Sequence, residues 1–221
     1  MQLFPENATI DDKIQHVIIW ILRISAAFAL FFAIYQSNAE HILNGLMATV
    51  LLFIPDMIQR RNKVKLPIEY SFAIIIFLYS SLVLGNILDF YGLFPWWDDL
   101  LHASMGALFG FTGFIILYML RLQKRLVTSN FLLYCFAFSF AVTFGVFWEI
   151  FEFSVDQFTD FNLQRGLTNA DTTIDLITDS LGGLISVALG SRLMLHPDGN
   201  DLVSRFFQKF FHVNPHLKKQ K

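Results

Sequence analysis

One histidine and a set of carboxylates are the residues of this chain best suited to chemistry. Asp98 and His102 stand four positions apart. Gly145, Glu149, Glu152 and Asp156 follow at steps of four, three and four. Asp171, Asp175 and Asp179 repeat every fourth residue, with Gly182 and Gly183 just beyond. On helices, such spacing puts each set on a single face. An imidazole among carboxylates suits a divalent cation such as Zn²⁺, Mn²⁺ or Mg²⁺. Thiolate-preferring metals find no ligand set, because Cys135 is the sole cysteine. The expected metal ligands are Asp98, His102, Glu149, Glu152, Asp175 and Asp179. A cation held there polarises a carbonyl or phosphoryl oxygen and acidifies a bound water. His102 and Glu149 are the candidate catalytic groups, as proton carriers. Gln164, Arg165, Asp156 and Asp171 are the candidates for contacting substrate, with Arg165 the cation available to an anionic group. No two ligands show a diagnostic spacing such as His-Glu-x-x-His. The plainer alternatives are that Asp98 or Asp99 caps one helix and Asp171 another, and that Glu152, Asp156 and Asp160 are partly solvated.

The elements that carry these residues must be membrane helices. Of 221 residues, 55% are hydrophobic and 15% charged, where a soluble domain averages about 25% charged. There are 26 Phe, and the mean hydropathy is +0.52. A net charge of −2 gives no support to nucleic-acid binding. A bilayer is crossed by about 20 helical residues. Six apolar runs approach or exceed that length, at about Ile14–Tyr35, Ile42–Met57, Ile68–Tyr91, Leu100–Leu120, Phe131–Phe153 and Ile174–Leu195. None alternates as a strand would, and every backbone group in lipid must be satisfied internally. The expected fold is all-α, a polytopic membrane bundle of six transmembrane helices. Residues 1–195 form a single membrane domain and 196–221 a tail.

Charge orients the spans. Fourteen of the sixteen Lys and Arg lie before span one, after spans two and four, or at and beyond the end of span six. The exceptions are Arg165 and Arg23, the latter within span one. The positive-inside rule then places both termini in the cytoplasm. Ser37-Asn38-Ala39 is only a faint cleavage site, and the run before it exceeds a normal signal h-region, so span one is expected to stay uncleaved. Leu202, Phe206, Phe210 and Val203, Phe207, Phe211 recur at helical spacing in the tail. They suit either a helix lying on the inner membrane surface or one packed under the bundle.

Ten of the eighteen acidic residues fall in the outer halves of spans three to six or in the outer loops that join those spans. An ionised side chain within a span costs about 3 kcal/mol even by the mildest scale. Several together require a positive partner, and the sequence supplies little of one. Gly106, Gly110, Gly145, Gly182 and Gly183 lie deeper on the same faces as the acids. Small residues let membrane helices approach closely, so these faces are expected to meet in one crevice open to the exterior.

The stretch Trp97-Asp98-Asp99-Leu100-Leu101-His102, with Gly106, resembles the Asp-x-x-x-His helix of an uncharacterised bacterial inner-membrane family typified by YjdF. Trp148-Glu149-Ile150-Phe151-Glu152 resembles its next acidic helix. Gln164-Arg165-Gly166, Asp171-Thr172-Thr173-Ile174-Asp175 and Asp179 to Gly183 resemble its closing motif. The VanZ-like proteins, associated with glycopeptide resistance, share a looser version of this order over residues 96–183. The likeness implies a multi-pass protein of the bacterial plasma membrane and a functional role for the shared polar residues, and it lends no reaction. The leading expectation is a metal-assisted hydrolase or transferase acting on a lipid or lipid-linked envelope substrate from the outer face. The alternatives are a cation- or proton-coupled transporter and a non-catalytic sensor or assembly partner.

Overall fold

The computed structural model describes residues 9–62, 64–159, 161, 163–164, 169–196 and 199–217. Among them every regular element is a helix, as expected. Six stretches are long and apolar enough to cross a membrane: Ile10–Tyr35, Ala39–Arg61, Ile68–Ile87, Trp97–Leu122, Asn130–Phe158 and Ala170–Leu195. The chain divides into two compact units, Met1–Pro95 and Trp96–Lys221.

In the first unit α1 (Ile10–Tyr35) starts at a reciprocal cap, with Thr9 and Asp12 each accepting from the other's backbone N–H. The second span is not one continuous helix. It breaks into α2 (Ala39–Leu51) and α3 (Ile54–Asn62), because Pro55 has no N–H to continue the ladder and its ring clashes with the preceding turn. The break is held from α1. Arg23, buried within its span, donates to the Leu52 carbonyl from Nε at 3.3 Å and Nη2 at 3.0 Å, and pairs with Asp56. Its guanidinium lies 4.2 Å from the Phe53 ring centre and 5.3 Å from that of Trp20. The third span also departs from regularity. α4 (Ile68–Tyr79) widens into a π-helical run over Ser80–Ile87. It ends before Asp89, whose φ of 56° is left-handed, and the short α5 (Phe90–Leu93) follows. The expected span to Tyr91 therefore stops at Ile87. Ile19, Ala26, Ala48, Leu52, Ile75, Leu82 and Val83 form the core of this unit.

The second unit holds α6 (Trp97–Leu122), α7 (Asn130–Phe158), α8 (Asn169–Leu195) and α9 (Leu202–Val213). Ser129 caps α7 by accepting from Leu132 N–H. α6 and α8 approach until backbone meets backbone. A Cβ at Gly106 would overlap the carbonyl oxygen of Asp179, and one at Gly182 the carbonyl oxygen of Ala103. Ser186, wholly buried on α8, donates to the Ala107 carbonyl at 2.7 Å. The tail helix forms as α9. Asp201 caps it through Val203 and Ser204 N–H, and its aromatic face lies on α6, with the Phe207 ring 6.0, 6.4 and 5.4 Å from those of Phe111, Phe114 and Tyr118.

Candidate functional site

The three polar faces converge inside the second unit. α6 begins at Trp97 without a side-chain cap, so Asp98 and His102 turn sideways, one turn apart, toward α7 and α8. His102 is 4% exposed, Glu149 6% and Asp175 4%, while Asp179 is completely buried. The Asp98 side chain, 36% exposed, forms the mouth. At a rise of about 1.5 Å per residue, Asp179 lies about 12 Å along α8 from Asp171. The polar column therefore runs well into the span.

His102 is its centre. Nε2 faces three carboxylates from three helices: Glu149 Oε1 at 3.7 Å, Asp98 Oδ1 at 3.8 Å and Asp175 Oδ1 at 3.9 Å. Nδ1, across the ring, lies 3.1 Å from Asp179 Oδ2. Ligand atoms of Asp98, His102 and Asp175 all fall within 4.8 Å of one another, close enough to share one ion. Glu149 Oε1 is buried with no hydrogen-bond partner, and so is Asp179 Oδ1. A buried acceptor left unpaired is costly, and Glu149 aims its orphaned oxygen at the space in front of Nε2.

The separations on the Nε2 side fit a cation better than a proton. A charge-assisted N–H···O contact draws its partners to about 2.7–2.9 Å, and none of the three oxygens comes that near. Ligands about 2.1 Å from an ion stand about 3.4 Å apart at a tetrahedral angle and about 3.8 Å apart at about 130°. Nε2 and the oxygens of Asp98 and Asp175 are mutually close enough to share one ion, while Glu149 Oε1 faces Nε2 from outside that group. The donor set is mixed imidazole and carboxylate, as Zn²⁺, Mn²⁺ and Mg²⁺ accept in differing degree.

Not every candidate from the sequence joins this group. Glu152, half-buried one turn toward the mouth from Glu149, is near enough to feel the charges of Glu149, Asp98 and Asp175, but is not within 4 Å of His102. Asp156 has both oxygens engaged by the turn after α7, accepting from Leu163 N–H at 2.7 Å and Gln164 N–H at 2.9 Å. That bond also fixes the backbone of Gln164. Asp171 lies in the first turn of α8, one turn above Asp175. Arg165 and Asp160 lie outside the described residues. Two contributors carry no periodic acid signal in the sequence: Thr172, which hydrogen-bonds the Glu149 carboxylate, and Ser186, which ties α8 to α6 beneath the column. For Ser186 the available cue is a hydroxyl inside an apolar run; for Thr172 it is membership of the Asp171–Asp175 motif.

Residues 17–196 match the family described as predicted membrane protein (DUF2238). A curated protein of Thermotoga maritima, described as uncharacterized, is 27% identical over 177 residues, covering 78% of this chain and 85% of its own length. No solved structure matches.

Proposed function

From the premise that the chain belongs to the DUF2238 family of predicted membrane proteins, we propose that it holds a divalent cation on the His102 cage and uses it for hydrolysis or group transfer on a lipid or lipid-linked substrate. The observation that carries this reading is the geometry at Nε2, with three carboxylate oxygens at 3.7–3.9 Å and one of them orphaned. Asp98, His102 and Asp175 hold the ion. Glu149, held by Thr172, is placed to take a proton from water activated by the ion. The mouth at Asp98 follows Trp96 and Trp97, residues suited to the membrane interface. The distribution of Lys and Arg favours that end lying in the outer leaflet, and the family resemblance favours a bacterial plasma membrane. The YjdF-like and looser VanZ-like patterns of residues 96–183 support a shared role for these same polar groups. A transporter would need the polar column to continue inward. Below Asp179 the glycine contacts of α6 and α8 and the Ser186 bond favour a pocket over a path.

The test is the metal content of full-length protein purified in detergent, together with turnover of envelope lipid extracts. Wild type is expected to carry about one Zn²⁺ or Mn²⁺ per chain. A Glu149→Gln, Asp175→Asn double variant should lose both ion and turnover. Unchanged stoichiometry in that variant refutes the cage, whereas an ion lost without any wild-type turnover favours a sensor over an enzyme.

A further inference from the structure

Asp179 shares the four-residue spacing of Asp171 and Asp175, yet it stands apart from the other carboxylates. It meets His102 at Nδ1, on the far side of the ring from the cage, and so does not face the ion. It is also the most deeply placed acid of the site, with no exposed surface. Two helices are shaped around it. Its backbone carbonyl occupies the space a Cβ of Gly106 would need, and its Oδ2 the space a Cβ of Gly145 would need. α6 and α7 therefore present bare backbone where this residue enters. A carboxylate so buried costs about 3 kcal/mol or more. Among the described residues its side chain has one hydrogen bond, to His102, and Oδ1 has none. A carboxylate placed only to bridge helices would be expected to use both oxygens on backbone or hydroxyl donors, as Asp156 does in the turn after α7.

We infer that Asp179 is a positioning residue: it touches no ion, but through His102 it decides which ring nitrogen carries the proton and so how tightly the cage holds a divalent cation. An ionised carboxylate only accepts, so the imidazole proton sits on Nδ1. The Nε2 lone pair then points toward the ion position shared with Asp98 and Asp175. The opposite tautomer would put a proton there and exclude the ion. The negative charge behind the ring also strengthens imidazole as a ligand. This inference rests on the metal reading of the cage, and its test separates the two.

Full-length wild type, Asp179→Asn and Asp175→Asn are titrated with Co²⁺ in detergent and followed by the visible absorption of the bound ion. Removing such a support costs about 10- to 100-fold in metal affinity, and Asp179→Asn should weaken by that factor. Asp179→Asn with wild-type affinity, beside an Asp175→Asn that no longer binds, overturns the role of Asp179 alone. A wild type that takes up no Co²⁺ overturns the cage and, with it, this inference. Should Asp179→Asn fail to fold, ¹⁵N spectra of Zn²⁺-loaded wild type decide the matter. His102 protonated at Nδ1, with Nε2 shifted by the metal, is the expected result, and a proton on Nε2 overturns the assignment.

Discussion

Replacing Gly106 by alanine should damage stability and cation binding together, whereas the same change at Gly183 should cost much less of either. At Gly183 the new methyl would meet Ala141 Cβ at 3.0 Å and Phe138 Cδ2 at 3.3 Å. Phe138 can turn aside, but Ala141 Cβ is fixed to the backbone of α7, so the helices must shift by a few tenths of an ångström, a cost that the gain of up to about 1 kcal/mol in helix propensity offsets. At Gly106 the methyl would overlap the carbonyl oxygen of Asp179, a backbone atom fixed by its own helix. Restoring ordinary contact requires α6 and α8 to part by roughly 1 Å. His102 Nδ1 and Asp179 Oδ2 stand 3.1 Å apart across that seam, so the separation would carry them past the limit of a hydrogen bond. Overpacking of this kind costs about 1–3 kcal/mol or more. For a chain of this size about 3 kcal/mol corresponds to about 6–12 °C in the unfolding midpoint. The assay is thermal unfolding in detergent, paired with Co²⁺ titration of the same samples. Gly106→Ala and Gly183→Ala melting within about 2 °C of each other, with equal affinities, would refute the claim that backbone proximity holds the site together.

Arg23→Met should destabilise the protein by about 2 kcal/mol in chemical unfolding, less than for a fully buried pair, because the Asp56 side chain is 41% exposed. Adding Asp56→Asn should return part of that loss, while the unpaired Leu52 carbonyl keeps the rest; strict additivity in the cycle would deny the coupling. Asp201, outside the spans, is held below its ordinary carboxyl value of 3.8 chiefly by its hydrogen bond from the Ser204 hydroxyl, helped by backbone N–H groups and Arg192. Its folded value being depressed, its support of α9 is complete above 3.8 and lost as pH falls through the folded value. Proteolysis at the start of α9 should therefore accelerate in acid for wild type and be already fast in Asp201→Ala at neutral pH.

The membrane helices were legible because their signal is cumulative: about 20 apolar residues overwhelm any local irregularity. The same averaging hid the irregularities. A window across Ile42–Met57 registers hydropathy whether or not Pro55 breaks the helix, and nothing in Ser80–Ile87 announces a π-helical run. Periodicity placed Asp98 with His102, Glu149 with Gly145, and Asp175 with Asp179 on common faces, and those faces do meet. It fixes a face but not the rotation of one helix against its neighbour. Asp175 and Asp179 are equivalent as a four-residue repeat, yet one faces Nε2 and the other Nδ1, a distinction that needs the ring of His102 between them. Asp156 extends the stripe of Glu149 and Glu152, but α7 ends within reach of it, and the backbone N–H groups of Leu163 and Gln164 engage its carboxylate. Arg23 read as an exception to the charge pattern; its partner is a residue 33 positions away.

The small residues and the acids are parts of one device. A carboxylate can lie as deep as Asp179 only where neighbouring helices leave room for it, and the room comes from glycines on α6 and α7. The same absence of side chains brings α6 against α8 so closely that little space remains below. Ser186 closes the next turn by bonding the Ala107 carbonyl, with Gly110 beside its hydroxyl. Farther along α6, the Phe207 ring of α9 covers Phe114. Exposure falls along the column from Asp98 through His102 to Asp179 and does not rise again before that aromatic layer. On the metal reading of the site, an ion at Nε2 would leave by the mouth it entered, and a substrate would come from the same side. Selectivity for that substrate would then rest with what surrounds Asp98, since below His102, among the described residues, only Asp179 meets the imidazole and the groups beyond it pack helix against helix.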